Sequence, residues 1–239
     1  MTDTPAKSRL VKYLGRLSLA CLLAIPLSVL AVRIGLHFGV GLPIFALSGV
    51  ISLVVIMILV VVGLLPAYRS QRGAVLMAML PAIPPVLLVT AIVSTGGQYP
   101  PIHDITTDTE NPPMFDAALA LRGDESNPVN IKPDVIETQQ RFYPEVKTIA
   151  TDMSPIEAME RAVSVAESLG WEVYNTDNTN GHIEATYTSF WFGFVDDIVI
   201  RVGIDAQGQT IVDLRSVSRV GRSDLGANAA RIQAFSKQF

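Results

Sequence analysis

The sequence predicts an α+β protein with two parts: an N-terminal three-helix transmembrane region and a soluble domain with a four-stranded antiparallel meander flanked by two helices. The chain is mostly apolar over residues 10–94 and has ordinary globular composition over residues 98–239. Within the second part, apolar residues alternate in four short runs, and helical spacing occurs before and after them. We therefore divide the chain into a transmembrane region, 1–97, and a soluble domain, 98–239.

Three apolar segments, at about 14–32, 43–65 and 74–94, approach the roughly 20 residues that a helix needs to cross a bilayer. The first segment could instead be a cleaved signal peptide, because basic residues precede it. A second apolar segment begins within about ten residues, which favours a membrane span. Prolines break the helical hydrogen-bond ladder, so a kink is predicted in the third segment at Pro81, Pro84 and Pro85.

The positions of the cations predict the orientation in the membrane. The link between the first two segments contains only Arg33. Six cations flank the other ends of the segments: Lys7, Arg9, Lys12, Arg16, Arg69 and Arg72. The positive-inside rule then places the N-terminus in the cytoplasm and the C-terminal domain beyond the membrane, in the periplasm if the membrane is a bacterial inner membrane. No acidic residue lies within a segment, which favours an anchor over a transporter.

Charge and cysteine content exclude several classes of function. Residues 98–239 hold 11 basic and 21 acidic residues, and such a surface repels nucleic acid. The single cysteine, Cys21, lies in an apolar segment and can form neither an internal disulfide nor a multi-thiolate metal site. We expect no cofactor and no metal, with membrane lipid as one partner.

The first part of the soluble domain, residues 98–150, is predicted to be an extended segment, here called the wrap. It is rich in proline, asparagine and acids, and has at most a short helix between 131 and 142. His103, Asp104 and Asp108 are potential metal ligands. Their spacing fits no established pattern, so solvation or hydrogen bonding is the simpler expectation.

Residues 151–239 are predicted to form the helix-meander-helix core. Ser154, Pro155 and Glu157 form a capping signal for a helix over about 155–169. Its expected apolar stripe is Ile156, Met159, Val163 and Ala166. Four strands follow at about 171–176, 182–189, 195–205 and 210–220, with an Asn-Gly turn at 180–181 between the first two.

The corner between the fourth strand and the last helix is the most site-like feature. We expect one face of that strand to be exposed and to carry cross-strand ion pairs, with Asp213, Arg215, Val217 and Arg219 opposite Asp197 and Arg201. Ser216 and Ser218 point inward and need partners, which the first amides of the next helix could supply. Gly221 and Gly226 bracket the turn, and Ser223 or Asp224 caps the helix.

The last helix carries an amide within its apolar stripe of Leu225, Ile232, Phe235 and Phe239. That amide, Asn228, should bond Ser216, Ser218 or main chain. A purely structural corner is one interpretation. The other is an anion site, in which Arg219, Arg222 and Arg231 converge at the helix N-terminus with Asn228, beside Trp191 from a loop that also holds Phe192 and Phe194.

Catalysis has little support in the sequence. The soluble domain lacks cysteine and a Gly-x-Ser-x-Gly elbow, and its histidines, His103 and His182, lie in no catalytic motif. Asp196 and Asp197 are adjacent strand residues, so their side chains should point to opposite faces of the sheet.

Several motifs together resemble a known family. They are Trp191-Phe192-Gly193-Phe194, Asp196-Asp197, and the run Ser216-x-Ser218-Arg219-x-Gly221-x-Ser223-Asp224-x-Gly226-x-Asn228-x-x-Arg231. The entry Pro100-Pro101-Ile102-His103-Asp104-Ile105-Thr106-Thr107 and the pair Gly170-Trp171 belong to the same pattern. The pattern is similar to the bacterial domain-of-unknown-function 1499 family. The resemblance implies a soluble domain joined to N-terminal membrane helices, and it implies no activity or catalytic residues.

Three functional hypotheses remain open from the sequence. The leading one is a membrane-anchored, non-enzymatic envelope protein whose periplasmic domain binds a protein or an anionic, lipid-derived ligand. The second is a hydrolase or transferase acting on envelope material, with Asp196 or Asp224 as base. The third is an accessory subunit of a larger membrane complex, for which the aromatic residues should form an exposed patch.

Overall fold

The computed structural model describes the main chain of residues 5–239 and the side chains of residues 9–239. Asp3 and the side chain of Lys7, one of the predicted cytoplasmic cations, lie outside the described residues. The chain forms two compact units, Met1–Gly97 and Gln98–Phe239.

The first unit is helical. Three stretches, Arg9–Arg33, Phe38–Leu64 and Pro66–Gly96, are long and apolar enough to cross a membrane. The third is broken at the predicted prolines, because Pro81 lies in a 3-10 turn that separates two helices. The elements are α1 (Pro5–Arg33), α2 (Phe38–Leu64), a 3-10 turn (Pro66–Gln71), α3 (Arg72–Met79), the 3-10 turn Leu80–Ala82, and α4 (Ile83–Gly96).

The second unit is built on one antiparallel sheet. The four predicted strands are confirmed as β3 (Glu172–Asp177), β4 (His182–Thr188), β5 (Val195–Ile204) and β6 (Thr210–Ser218). Three helices accompany them: α6 (Pro133–Phe142), α7 (Pro155–Ser168) and α8 (Ala227–Gln238). Two further strands from the wrap, β1 (Asp104–Thr106) and β2 (Ile149–Thr151), both pair with β6 and make the sheet six-stranded. Each has only three residues, which is too short for an alternation of apolar and polar residues to be recognised in the sequence.

Helices α7 and α8 pack on one face of the sheet. The predicted capping box is present, since Ser154 N donates to Glu157 Oε2 at 2.9 Å and Ser154 Oγ accepts from Glu157 N. The predicted stripe was partly wrong, because Ile156 is 73% exposed and lines an open cleft with Ile204. The residues of α7 that are buried are Ala158, Met159, Ala162, Val165 and Ala166.

The opposite face of the sheet is buried as well, which corrects the expectation of an exposed, ion-paired surface. Val199 and Val217 pack against Phe115 and Ala118 of the wrap, where a short helix α5 (Ala117–Leu121) forms. Glu184 is fully buried on this face and accepts hydrogen bonds from the amides of Asp116 (2.6 Å) and Ala118 (3.2 Å). The domain therefore has three layers: helices α7 and α8, the sheet, and the wrap.

Cross-strand ion pairs do form on this covered face. Arg201 bonds Asp213 at 2.8 Å, as expected from the register that sets them opposite each other. Arg215, only 1% exposed, makes two bonds to Asp104 at 2.9 and 2.7 Å and donates to the carbonyl oxygen of Pro113. These bonds tie the wrap to the sheet, because Asp104 and Pro113 are more than a hundred residues from Arg215 along the chain.

Candidate functional site

The corner between β6 and α8 requires left-handed backbone. Gly221 has φ of 92° and Gly226 has φ of 80°, a region that side chains disfavour. A Cβ on Gly226 would also lie 2.5 Å from the ring of Tyr99. Leu225 adopts φ of 54° without being glycine, so the turn holds some strain. The glycines bracketing the predicted turn thus have a conformational cause.

The N-cap residue of the last helix is Gly226, not Ser223 or Asp224 as predicted, but the side chain of Asp224 accepts amides at the start of the helix. Its Oδ2 accepts from Asn228 N at 2.9 Å and its Oδ1 from Gly226 N at 2.8 Å. The side chain of Asp224 therefore accepts backbone amides at the start of α8. This corrects the suggestion that Ser216 and Ser218 would accept them. Burial raises the pKa of the Asp224 carboxyl above its ordinary value, and the two amides partly oppose that shift. Ser223 Oγ accepts from Leu225 N and donates to the carbonyl oxygen of Pro100.

A buried polar cluster joins the sheet to α8. We call it the Asn228 cluster, with members Asp196, Ser216, Ser218, Asn228 and Arg231. Asn228 Nδ2 donates to Ser218 Oγ and to the carbonyl oxygen of His103, both at 3.0 Å. Asn228 Oδ1 accepts from Ser216 Oγ at 2.6 Å. The expectation that Asn228 bonds Ser216, Ser218 or main chain is confirmed, and the amide in fact bonds all three.

Arg231 completes the Asn228 cluster from α8. Its Nη2 donates to Asp196 Oδ2 at 2.6 Å, and its Nη1 donates to Ser216 Oγ at 2.9 Å and to Asn228 Oδ1 at 2.5 Å. The guanidinium lies over the Tyr187 ring, 4.6 Å from its centroid. This charge is neutralised within the fold.

Arg219 lies on the other side of the sheet. It donates to both oxygens of Asp197, the shortest bond being 2.7 Å, and to the carbonyl oxygen of Leu121 in the wrap. Arg122 also bonds Asp197. Asp196 and Asp197 do point to opposite faces, as predicted, and Asp196 pairs with Arg231 whereas Asp197 pairs with Arg219 and Arg122. The three arginines therefore do not converge on one point, because the sheet separates Arg219 from Arg231.

Arg222 has a different environment. It is exposed and lines a cleft of about 360 Å³ with Lys132, the residue that precedes α6. Within the described residues, Arg222 makes none of the carboxylate pairs that hold Arg219 and Arg231. Two acids, Asp104 and Asp134, also line the cleft, and Asp104 is already paired with Arg215. The cleft is the Arg222 cleft below.

Sequence reasoning missed Lys132. The Lys132-Pro133 pair, with proline at a first helical position, does mark the start of α6. Nothing in the local sequence indicates that this helix start lies beside Arg222, 90 positions later. The link is made by Asn127, whose Nδ2 donates to the carbonyl oxygens of Ser218 and Gly221 at 3.0 and 2.8 Å.

The aromatic loop between β4 and β5 divides into two halves. Phe192 is buried and stacks on Phe194, with ring centroids 5.5 Å apart. Phe190 is 81% exposed and Trp191 49% exposed, with their rings edge to face. We call Phe190 and Trp191 the aromatic tip. Of the two, only Trp191 was singled out from the sequence.

Two of the three residues considered as metal ligands, Asp104 and Asp108, have other partners. Asp104 pairs with Arg215, and Asp108 pairs with Arg201 at 2.8 Å. Among the residues that the structure describes, no group of three histidine, cysteine, aspartate or glutamate side chains is placed to hold a metal ion.

A family model matches the soluble part of the chain. The model of the family described as "Protein of unknown function (DUF1499)" matches residues 104–239, more than half of the chain. The chain belongs to the DUF1499 family. The DUF1499 match covers all six strands, the Asn228 cluster and Arg222, and it begins after the membrane region. No curated protein matches the chain.

Proposed function

We propose that this DUF1499 protein is a membrane-anchored, non-enzymatic binding module whose soluble domain lies outside the cytosol and takes an anionic group in the Arg222 cleft. The proposal rests on a difference in environment among the three arginines that the sequence predicts to bind an anion. Arg219 and Arg231 are paired with Asp197 and Asp196, whereas Arg222 faces a cleft that also contains Lys132.

The ligand that fits this cleft bears a phosphate or carboxylate. A guanidinium binds such a group through two parallel hydrogen bonds, and an ammonium adds a point charge. The volume of about 360 Å³ lies at the small end of ligand pockets and suits a headgroup-sized ligand. Pro101 and Ile102 form part of the lining. The cleft is therefore beside the segment by which the chain enters the domain.

The non-enzymatic part of the proposal rests on the use of the carboxylates. Asp196 is paired with Arg231, and Asp224 accepts two amide hydrogen bonds at the start of α8. The cleft that contains His103 is lined by Asp104 and Asp134 instead. The residues that the hydrolase hypothesis needs as a base are thus engaged in holding the corner together.

A double substitution tests the proposal. In the full chain, Arg222→Ala with Lys132→Ala is expected to weaken binding of an anionic ligand about tenfold or more, since each lost charge-assisted hydrogen bond contributes about 1.5–3 kcal/mol. The melting temperature should stay nearly unchanged, because both side chains are at the surface. Native mass spectrometry in mild detergent, followed by titration of delipidated protein with inorganic phosphate and separately with an anionic phospholipid, distinguishes a free anion from a headgroup.

The matched control is Lys147→Ala with Lys237→Ala, which removes the same charge from two other exposed positions of the domain. Unchanged ligand retention by the Arg222 and Lys132 variant, or equal loss by the control, would refute the proposed site.

A further inference from the structure

Four exposed polar side chains that line the Arg222 cleft are not used by the fold. Within the part of the chain that the structure describes, the side chains of Arg222, Lys132, Asp134 and Asn130 form neither an ion pair nor a hydrogen bond. The other arginines of the soluble domain bond a carboxylate or a carbonyl oxygen or lie over an aromatic ring; they are Arg122, Arg141, Arg161, Arg201, Arg215, Arg219 and Arg231. The cleft therefore presents free polar groups of several kinds to a ligand.

These groups have mixed charge. Asp134 lines the same cleft as Arg222 and Lys132, and the other acid there, Asp104, is already compensated by Arg215. A site that recognised only negative charge would be weakened by the Asp134 carboxylate, because like charges repel. A carboxylate accepts hydrogen bonds from hydroxyl groups, and the amide of Asn130 both donates and accepts them. The lining thus fits an anion that also carries hydroxyl groups.

An apolar surface lies between the polar groups of the cleft. It is formed by Ile102, which is buried, and by Ile131 and Val135, which are half-buried. Ligand pockets combine such apolar walls with a few polar groups that fix the orientation of the ligand. The C–H groups of a sugar or cyclitol ring are apolar and can pack on these side chains while the ring hydroxyls reach Asp134 and Asn130.

We propose that the ligand of the Arg222 cleft is a phosphorylated polyol, a sugar or cyclitol ring that carries a phosphate group. Arg222 and Lys132 bind the phosphate, whose charge of about −2 and three free oxygens suit two cations better than a carboxylate does. Asp134 and Asn130 bind the ring hydroxyls. This inference rests on the proposed function, and it adds the class of ligand and two residues that recognise it.

Pairs of ligands that share the phosphate and differ in the polyol test this inference. Full-length protein, purified in mild detergent and delipidated, is titrated calorimetrically with glucose 1-phosphate and with inorganic phosphate. We expect glucose 1-phosphate to bind about tenfold more tightly or better, because the ring adds hydrogen bonds to those of the phosphate. In a second arm, phosphatidylinositol 4-phosphate is compared with phosphatidic acid in detergent micelles. A preference in the first arm alone identifies a free polyol phosphate, and one in the second arm alone identifies a lipid headgroup; either supports the inference.

Substitutions in the cleft separate recognition of the polyol from general electrostatics. Asp134→Ala should lower the preference for glucose 1-phosphate over inorganic phosphate about tenfold. Inorganic phosphate itself should bind Asp134→Ala as well as the wild type or more tightly, because a repelling charge is gone. Asn130→Ala should lower the same preference without any change of charge. The matched control is Glu137→Ala, which removes another exposed carboxylate of α6 that does not line the cleft, and it should leave the preference unchanged.

The outcomes distinguish this inference from the anion site on which it rests. Equal affinity for the two ligands of both pairs, with phosphate binding still weakened by Arg222→Ala and Lys132→Ala, would overturn the polyol assignment and leave the anion site standing. Tighter binding of both glucose 1-phosphate and inorganic phosphate to Asp134→Ala would also overturn it, because Asp134 would then only repel anions. Failure of the wild type to bind any of the four ligands would refute the anion site and this inference together.

Discussion

Arg215→Met is expected to lower the free energy of unfolding of the soluble domain by about 3–5 kcal/mol, the cost of leaving a buried charge without its partner. Arg215 is 1% exposed and makes two hydrogen bonds to Asp104. The substitution strands the Asp104 carboxylate and removes the donor to the carbonyl oxygen of Pro113. Urea denaturation of the full chain in detergent, followed by fluorescence of the buried Trp171, measures the change.

Two further variants serve as controls for Arg215→Met. Asp104→Asn combined with Arg215→Met removes both charges and should be more stable than Arg215→Met alone. Arg141→Met changes an exposed arginine of α6 and should stay within about 0.5 kcal/mol of the wild type. A loss below about 1 kcal/mol for Arg215→Met would show that the wrap is not held to the sheet by this pair.

Arg231→Met is expected to cost a similar amount, about 3–5 kcal/mol, because Asp196 would be left buried and unpaired. Ser216 and Asn228 would each lose the hydrogen bond that Arg231 donates. Chemical denaturation of the full chain again provides the measurement. Helix α8 should detach first, so limited proteolysis is expected to cut the variant near residue 226 before other sites.

This prediction separates the two interpretations of Arg231 that the sequence leaves open. A structural arginine lowers stability when replaced, whereas a ligand-binding arginine lowers affinity and leaves stability nearly unchanged. Arg222→Met is the matched control, because Arg222 belongs to the same corner but is exposed. If Arg231→Met unfolds at the same urea concentration as Arg222→Met, the structural assignment is wrong.

Local patterns were sufficient to predict the regular elements. The capping box at Ser154 and Glu157 predicted where α7 begins, and alternation predicted β3 to β6 within one or two residues. The hydrogen bonds of Asn228 were also predictable, because an amide within an apolar helical stripe must find polar partners in the core.

The burial of the second sheet face was not predictable by the same reasoning. Alternating charges such as Asp213 and Arg215 normally indicate a solvated face, and the sequence offers no apolar stripe to cover it. The cover comes from the wrap, through contacts between residues far apart in the chain, such as Thr107 Oγ1 with Asp213 at 3.0 Å. Such pairings leave no periodic signal. This long-range cover is also why Arg219, expected at an anion site, is instead enclosed with Asp197.

Cysteine labelling in intact cells tests most directly the central claim that membrane helices hold an acidic domain outside the cytosol. The natural Cys21, buried in α1, is first replaced by serine. Gln207→Cys then marks the exposed turn between β5 and β6, and Ser70→Cys marks the link between the second and third apolar segments. The account predicts that a membrane-impermeant maleimide labels Cys at 207 in intact cells and Cys at 70 only after permeabilisation. Labelling at 70 in intact cells, with 207 protected until permeabilisation, would contradict it.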